Sequence, residues 1–232
     1  MVKTVTIHQN AGLGDIFFCQ KIAETFIYNG YEVYWPVKST INWVGEYLVN
    51  TNKVHYINED NFTPLDNTYD VVLDGAQNIT GNLIMPSKYQ ILDIDWSDWV
   101  DHFNFKRNIN KENELYYNVL KLKDNEKYTF INKYYATPPN HQVYNIQEDI
   151  NEKTINLEMI EGFTIFDWCK VIENASKISI IDTSILFIID KIFCNSKYFY
   201  CYTRNGIFTY NELKDIFQTP WIWLDSNNNK LN

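Results

Sequence analysis

The stretch Asn10-Ala11-Gly12-Leu13-Gly14-Asp15-Ile16-Phe17 constrains this chain more than any other. Residues 2–9 before it read as a strand, and residues 15–29 after it predict a helix. A glycine-rich turn between a first strand and a first helix points to an α/β fold. In such folds this turn holds an anionic ligand or carries a reactive group. The helix start offers unpaired N–H groups and the positive end of the peptide dipoles. Gly12 and Gly14 let the backbone turn tightly and let a ligand approach it. Asp15 has two readings, an N-cap of the helix or a carboxylate presented above the sheet. The pattern is not a dinucleotide fingerprint, whose third glycine would fall at Phe17, and no Lys-Ser/Thr follows for a phosphate-binding P-loop.

At 232 residues the chain is long enough for one large domain or two small ones, and 17 Tyr, 14 Phe and 7 Trp supply an ample core. A net charge of −9 argues against a general nucleic-acid binder, while leaving room for a basic pocket for one diphosphate. Cys19, Cys169, Cys194 and Cys201 form no Cys-x-x-Cys pair and read as buried thiols of a reducing compartment. Strand-like residues begin directly after Met1, and no apolar run reaches membrane-spanning length, so a cytoplasmic protein without a membrane span is expected. Asparagine runs such as Asn227-Asn228-Asn229 read as an AT-rich coding genome, with a virus as one source.

Strands and helices alternate along the first half. Strands are expected at 31–37, 53–57, 70–74 and 89–94, and helices at 39–49 and 111–122, with a polar loop at 75–81. Alternation of this kind predicts a parallel, doubly wound sheet, with Gly12, Asp15, Asp74 and Gln77 gathered at the carboxyl ends of its strands. Asp74 equally suits a turn before Gly75. Trp96 and Trp99 either line an acceptor groove or pack under a loop. A second α/β unit restarts after the polar run 123–126, giving units 1–110 and 111–232. Its strands are expected at 127–131, 143–146, 154–157, 178–181 and 198–202, and its helices at 164–175, 185–193 and 211–217. Pro138-Pro139-Asn140 breaks the chain, and residues 221–224 close it, with a return to the first unit as one option.

Residues 178–184, Ile-Ser-Ile-Ile-Asp-Thr-Ser, repeat the opening logic: an apolar strand delivers a short polar turn to a helix start. With the Gly-x-Gly-Asp turn first and the Asp-Thr-Ser turn late, the chain resembles the GT-B glycosyltransferases. Within them it is similar to the ADP-heptose:lipopolysaccharide heptosyltransferase family. Members begin with a strand, a Gly-x-Gly-Asp-like turn and a helix. They carry an Asp-Thr-Gly or Asp-Thr-Ser turn against the donor diphosphate, preceded by a helix like residues 164–175. The resemblance implies two Rossmann-like α/β domains facing across a cleft, the acceptor domain first and the nucleotide-sugar domain second. It also implies an inverting, metal-independent sugar transfer from a nucleotide-diphosphate sugar to a glycan acceptor, with no further cofactor.

On that resemblance Asp15 is the catalytic base, and Gly12, Leu13 and Gly14 form the acceptor-side loop. The donor site comprises Asn132, Lys133, Asp182, Thr183, Ser184 and Arg204, with Glu161 and Phe163 in a turn against the base. The chain departs from the family in having Phe187 or Ile188 where a His follows the Asp-Thr turn, and it is shorter than most members. ADP-heptose and lipid A are therefore not carried over as substrates. Two alternatives stay open: a non-catalytic nucleotide- or glycan-binding protein on the same scaffold, and a nucleotide-sugar epimerase. His8, His55, His102 and His141 have no metal-ligand spacing, whereas Asp93-Ile94-Asp95 has the spacing of metal-dependent transferases without their context.

Overall fold

The computed structural model describes residues 3–9, 12–49, 52–64, 66–81, 83–135, 142–146 and 151–231. Asn10 and Ala11 of the opening turn, the Pro138-Pro139-Asn140 break and His141 lie outside them. The chain divides into two compact units, Met1–Lys106 and Arg107–Asn232.

In the first unit β1 (Lys3–His8) runs into α1 (Leu13–Phe18) and α2 (Gln20–Tyr28), followed by β2 (Tyr31–Val37), β3 (Val54–Asn58) and β4 (Tyr69–Val72). All pairings are parallel, in the order β3-β2-β1-β4. Val5, Thr6 and Ile7 are fully buried, as befits a central strand covered on both faces. The expected single helix is two, bent at Cys19, because the Gln20 side-chain amide donates to the Ile16 carbonyl at 2.7 Å. That carbonyl is the one the Gln20 N–H would bond in a continuous helix. Residues 39–49 make only a 3-10 turn, Asn42–Glu46. The chain is then pulled out by cross-links, Val49 N–H to the Asn104 carbonyl (2.9 Å) and Lys106 N–H to the Tyr47 carbonyl (2.7 Å).

The loop after β4 is a short helix, α3 (Ala76–Thr80), held between the left-handed Gly75 and Gly81. Residues expected as a strand at 89–94 instead end α4 (Ile84–Gln90) and form the turn after it, and Pro86 fits the first turn of that helix. α5 (Trp99–His102) puts Trp99 in the core against Phe18, so this tryptophan packs and lines no groove. β4 is an edge strand with only Val71 buried, not the buried strand its apolar run suggested.

The second unit opens with α6 (Ile109–Asn113), which widens into a π turn at Glu114–Val119. The widening turns Tyr116 inward and leaves Val119 exposed. Next come β5 (Thr129–Asn132), the two-residue pair β6 (Tyr134–Tyr135) and β7 (Gln142–Val143), and β8 (Thr154–Asn156). A capping box between Thr164 and Asp167 starts the 3-10 turn that leads to α7 (Cys169–Glu173). The unit ends with β9 (Lys177–Ile181), α8 (Ile185–Lys191), β10 (Phe199–Tyr202), α9 (Ile207–Leu213) and β11 (Ile222–Leu224). Its parallel sheet has the order β11-β10-β9-β5-β8, so the closing segment stays in the second unit. α9 begins four residues before the expected helix, at Ile207, directly after Gly206.

Candidate functional site

Each sheet carries a polar cluster at the carboxyl end of its strands. In the first unit Gly12 is the extended N-cap of α1, so Leu13 and Gly14 are its first residues and Asp15 its third. Asp15 therefore caps from inside the helix: its Oδ2 accepts the Gly12 N–H at 3.2 Å. Its Oδ1 lies 2.9 Å from the ammonium of Lys88, which α4 supplies. Lys88 also donates to the side-chain oxygen of Gln9, the residue that follows β1. The Lys88 side chain is 4% exposed and the Asp15 side chain 24% exposed. Gln9 is fully buried, and its backbone carbonyl accepts the Trp35 indole N–H at 2.9 Å. Burial pushes the neighbouring Cys19 thiol far above its ordinary value, which leaves it protonated and inert. Asp74 is exposed in the turn before Gly75.

Lys88 and Gln9 are absent from the sequence-level site. The available signal was a lone charged residue in the segment Leu83-Ile84-Met85-Pro86-Ser87-Lys88-Tyr89, which the strand expectation at 89–94 obscured.

In the second unit the parallel register brings Asn132, Asp182, Thr183 and Arg204 together, at the ends of β5, β9 and β10. The Asp182 side chain is fully buried. Its Oδ1 accepts the Arg204 backbone N–H at 3.1 Å and the Arg204 Nε–H at 3.0 Å. Its Oδ2 is buried with no hydrogen-bond partner among the described residues. Burial pushes the Asp182 carboxyl up to about 6, against the opposing pull of Arg204. The Arg204 side chain is 43% exposed and its guanidinium lies 5.8 Å from the centre of the Tyr135 ring. Asn132 donates to the Thr183 hydroxyl at 2.9 Å, and its own side-chain oxygen accepts the Tyr134 N–H at 3.3 Å. Ser184 precedes α8 without a side-chain capping bond, so its hydroxyl is not spent on the helix.

Lys133 is half-buried and already partnered. Glu161 is exposed and Phe163 half-buried, in a turn whose left-handed Gly162 gives its carbonyl to Lys111 at 2.7 Å. Phe163 N–H closes that turn onto the Ile160 carbonyl at 3.0 Å. Both Asp95 oxygens accept bonds from Ser97, which hold its carboxyl below the usual range, and Asp93 sits in a left-handed turn. Among the described residues no group of three or more His, Cys, Asp or Glu side chains is arranged to hold a metal ion. Among them, too, no helix is long and apolar enough to cross a membrane.

Two α/β units, each with a parallel sheet and a polar cluster at the carboxyl ends of its strands, define the fold class. The fold is that of GT-B glycosyltransferases. The chain is similar to the glycosyl transferase family 9 structure from Veillonella parvula DSM 2008, with a TM-score of 0.59 and 8% identity over 97% of this chain and 87% of that one. It is also similar to the bacterial iron-containing dodecameric glycosyltransferase TibC from enterotoxigenic E. coli H10407, with a TM-score of 0.54 and 10% identity over 94% of this chain and 61% of that one. At these identities the likeness is one of fold. No family model matches the sequence, and no curated protein matches it.

Proposed function

We propose that this chain is a glycosyltransferase that moves a sugar from a nucleoside-diphosphate sugar to a carbohydrate acceptor by direct, inverting displacement. One observation carries the proposal: the two clusters hold the same pair of charges with opposite partners buried. In the first the cation is 4% exposed and the carboxylate 24% exposed. In the second the carboxylate is fully buried and the guanidinium 43% exposed. A carboxylate facing outward suits proton removal from an acceptor hydroxyl, and a guanidinium facing outward suits a departing diphosphate. The likeness in fold to glycosyltransferases supports assigning both clusters to one reaction.

In this mechanism Asp15 takes the proton of the acceptor hydroxyl as its oxygen attacks the anomeric carbon. The bond from that carbon to the diphosphate breaks on the opposite face, and the electron pair leaves with the phosphate. Arg204, the Thr183 and Ser184 hydroxyls and Lys133 stabilise the departing charge, and Asn132 fixes the Thr183 hydroxyl. Glu161 and Phe163 take the nucleobase. No step is routed through a metal ion.

Melting curves with UDP, GDP, ADP and dTDP, each with and without a chelator, test the donor site, because a ligand held only by the folded state raises the melting temperature. Release of nucleoside diphosphate from UDP-glucose, GDP-mannose, ADP-glucose and dTDP-glucose tests transfer. At least one nucleotide should stabilise the protein in the presence of the chelator. Stabilisation without any release would favour the non-catalytic alternative, and strict dependence on manganese or magnesium would move attention to Asp93 and Asp95. No stabilisation by any of the four would remove the donor assignment.

A further inference from the structure

We propose that Lys88 is the positioning residue of the Asp15 carboxylate, holding one of its oxygens while the Gly12 N–H holds the other. This rests on the proposal that Asp15 is the base. An ammonium that is 4% exposed must be paired and hydrogen-bonded, and Lys88 has two partners, Asp15 Oδ1 at 2.9 Å and the Gln9 side-chain oxygen. Both ends of this brace are fixed. Gln9 is fully buried and anchored through its backbone to Trp35. α4 is tied down on either side of Lys88, by Tyr89 donating to the Phe18 carbonyl and by the 2.5 Å contact between the Ser87 and Thr80 hydroxyls.

The carboxylate is therefore pinned at both oxygens before any substrate arrives. A carboxylate has about four acceptor positions, so two such bonds leave lone pairs free for a hydroxyl proton. The 24% exposure of the side chain leaves these a path to solvent. Orientation set in advance is one of the larger contributions to catalysis, and a misplacement of about 1 Å costs on the order of 100-fold in rate. Lys88 itself touches no reacting atom; it acts through Asp15.

The test uses the whole chain labelled with 15N-glycine, which carries only 8 glycines and so gives few resonances to assign. In Lys88→Met the Gly12 amide should move toward its position in Asp15→Ala, which has no side-chain acceptor, because the carboxylate is released, while Gly162 and Gly206 of the second unit stay in place. A Gly12 amide unmoved by Lys88→Met would overturn the proposal whether or not any donor turns over. With the donor that turns over among UDP-glucose, GDP-mannose, ADP-glucose and dTDP-glucose, Lys88→Met should lower kcat by roughly 10- to 100-fold and leave the donor KM unchanged. Adding Lys88→Met to Asp15→Asn should lower kcat no further. A further fall by the same factor would assign Lys88 a structural role and sink the inference. Near-normal turnover by Asp15→Asn would instead sink Asp15 as the base, while a shifted Gly12 amide would still report the brace.

Discussion

The turns at Asp15 and Asp182 are built alike and present opposite charges. Each follows a parallel strand, each leads to a helix, and each pairs an aspartate with a cation. Lys88 comes from a helix packed on the sheet, so its ammonium is sealed inside and Asp15 faces out. Arg204 follows the end of the neighbouring strand, so its side chain emerges at the carboxyl end of the sheet. Asp182 continues the plane of the sheet, its N–H bonded to the Tyr202 carbonyl at 3.1 Å, and stays buried. Burial of one partner thus decides which charge a strand–turn–helix offers to a ligand. On the proposed function, a base and an anion clamp arise from the same local plan.

Asp15→Asn should break the comparison most visibly. Asn keeps a side-chain oxygen that can accept the Gly12 N–H but takes no proton, so turnover should fall by roughly two to four orders of magnitude with nucleoside-diphosphate affinity unchanged. Because Lys88 then loses its anionic partner, stability should also fall, by roughly 1–3 kcal/mol. That is less than for a fully buried pair, since Asp15 is partly exposed. Turnover near wild type, corrected for folded protein, would return Asp15 to a purely structural cap.

The buried carboxylate has its own pH signature. Asp182 has a folded-state pKa of about 6, above its ordinary 3.8, so between about pH 4 and pH 6 the native state binds the proton that the unfolded state has released. Its contribution to stability is fully present below about pH 4 and is lost as pH rises through about 6, roughly 3 kcal/mol in all. Urea titrations across this window should show that slope in the wild type and its absence in Asp182→Asn. An identical slope in both proteins would mean that Asp182 is not the group responsible.

Arg204→Met sharpens the contrast on the outward side. Hydrogen bonds to charged groups contribute about 1.5–3 kcal/mol, so nucleoside-diphosphate affinity should weaken by roughly 10- to 100-fold. Calorimetric titration giving the wild-type affinity would take Arg204 out of the donor site. The smallest effect is expected for Thr183→Val, which removes the bond to Asn132: about 1 kcal/mol of stability and a several-fold loss in nucleotide affinity. Unaltered affinity in this variant would free the Thr183 hydroxyl from any phosphate role.

The strands were the most legible elements, because a buried parallel strand announces itself as a short apolar run. β2 and β5 stand close to where those runs put them. Residues 39–49 make a 3-10 turn where a helix is expected because Tyr47 and Val49 bond to Lys106 and Asn104, partners distant in sequence. Residues 89–94 looked like a strand because Tyr89, Ile91 and Ile94 are apolar, while the pattern that makes α4 lies upstream of them. Of the residues proposed for the donor side, Asn132, Asp182, Thr183 and Arg204 converge because three neighbouring strands end together. Glu161 and Phe163 sit on a turn whose position no strand register dictates.

The sequence by itself determined that two strand–turn–helix units exist and that Asp15 and Asp182 follow their strands, since periodicity and turn chemistry act over a few residues. Only the tertiary structure decided which of the two carboxylates would be presented and which would be hidden. Gln9 meets Lys88 across 79 positions and Asp182 meets Arg204 across 22, separations over which local propensity carries no information. The exposure of a charge depends on what packs over it, and that is settled only when helices and strands distant in sequence close on the same sheet.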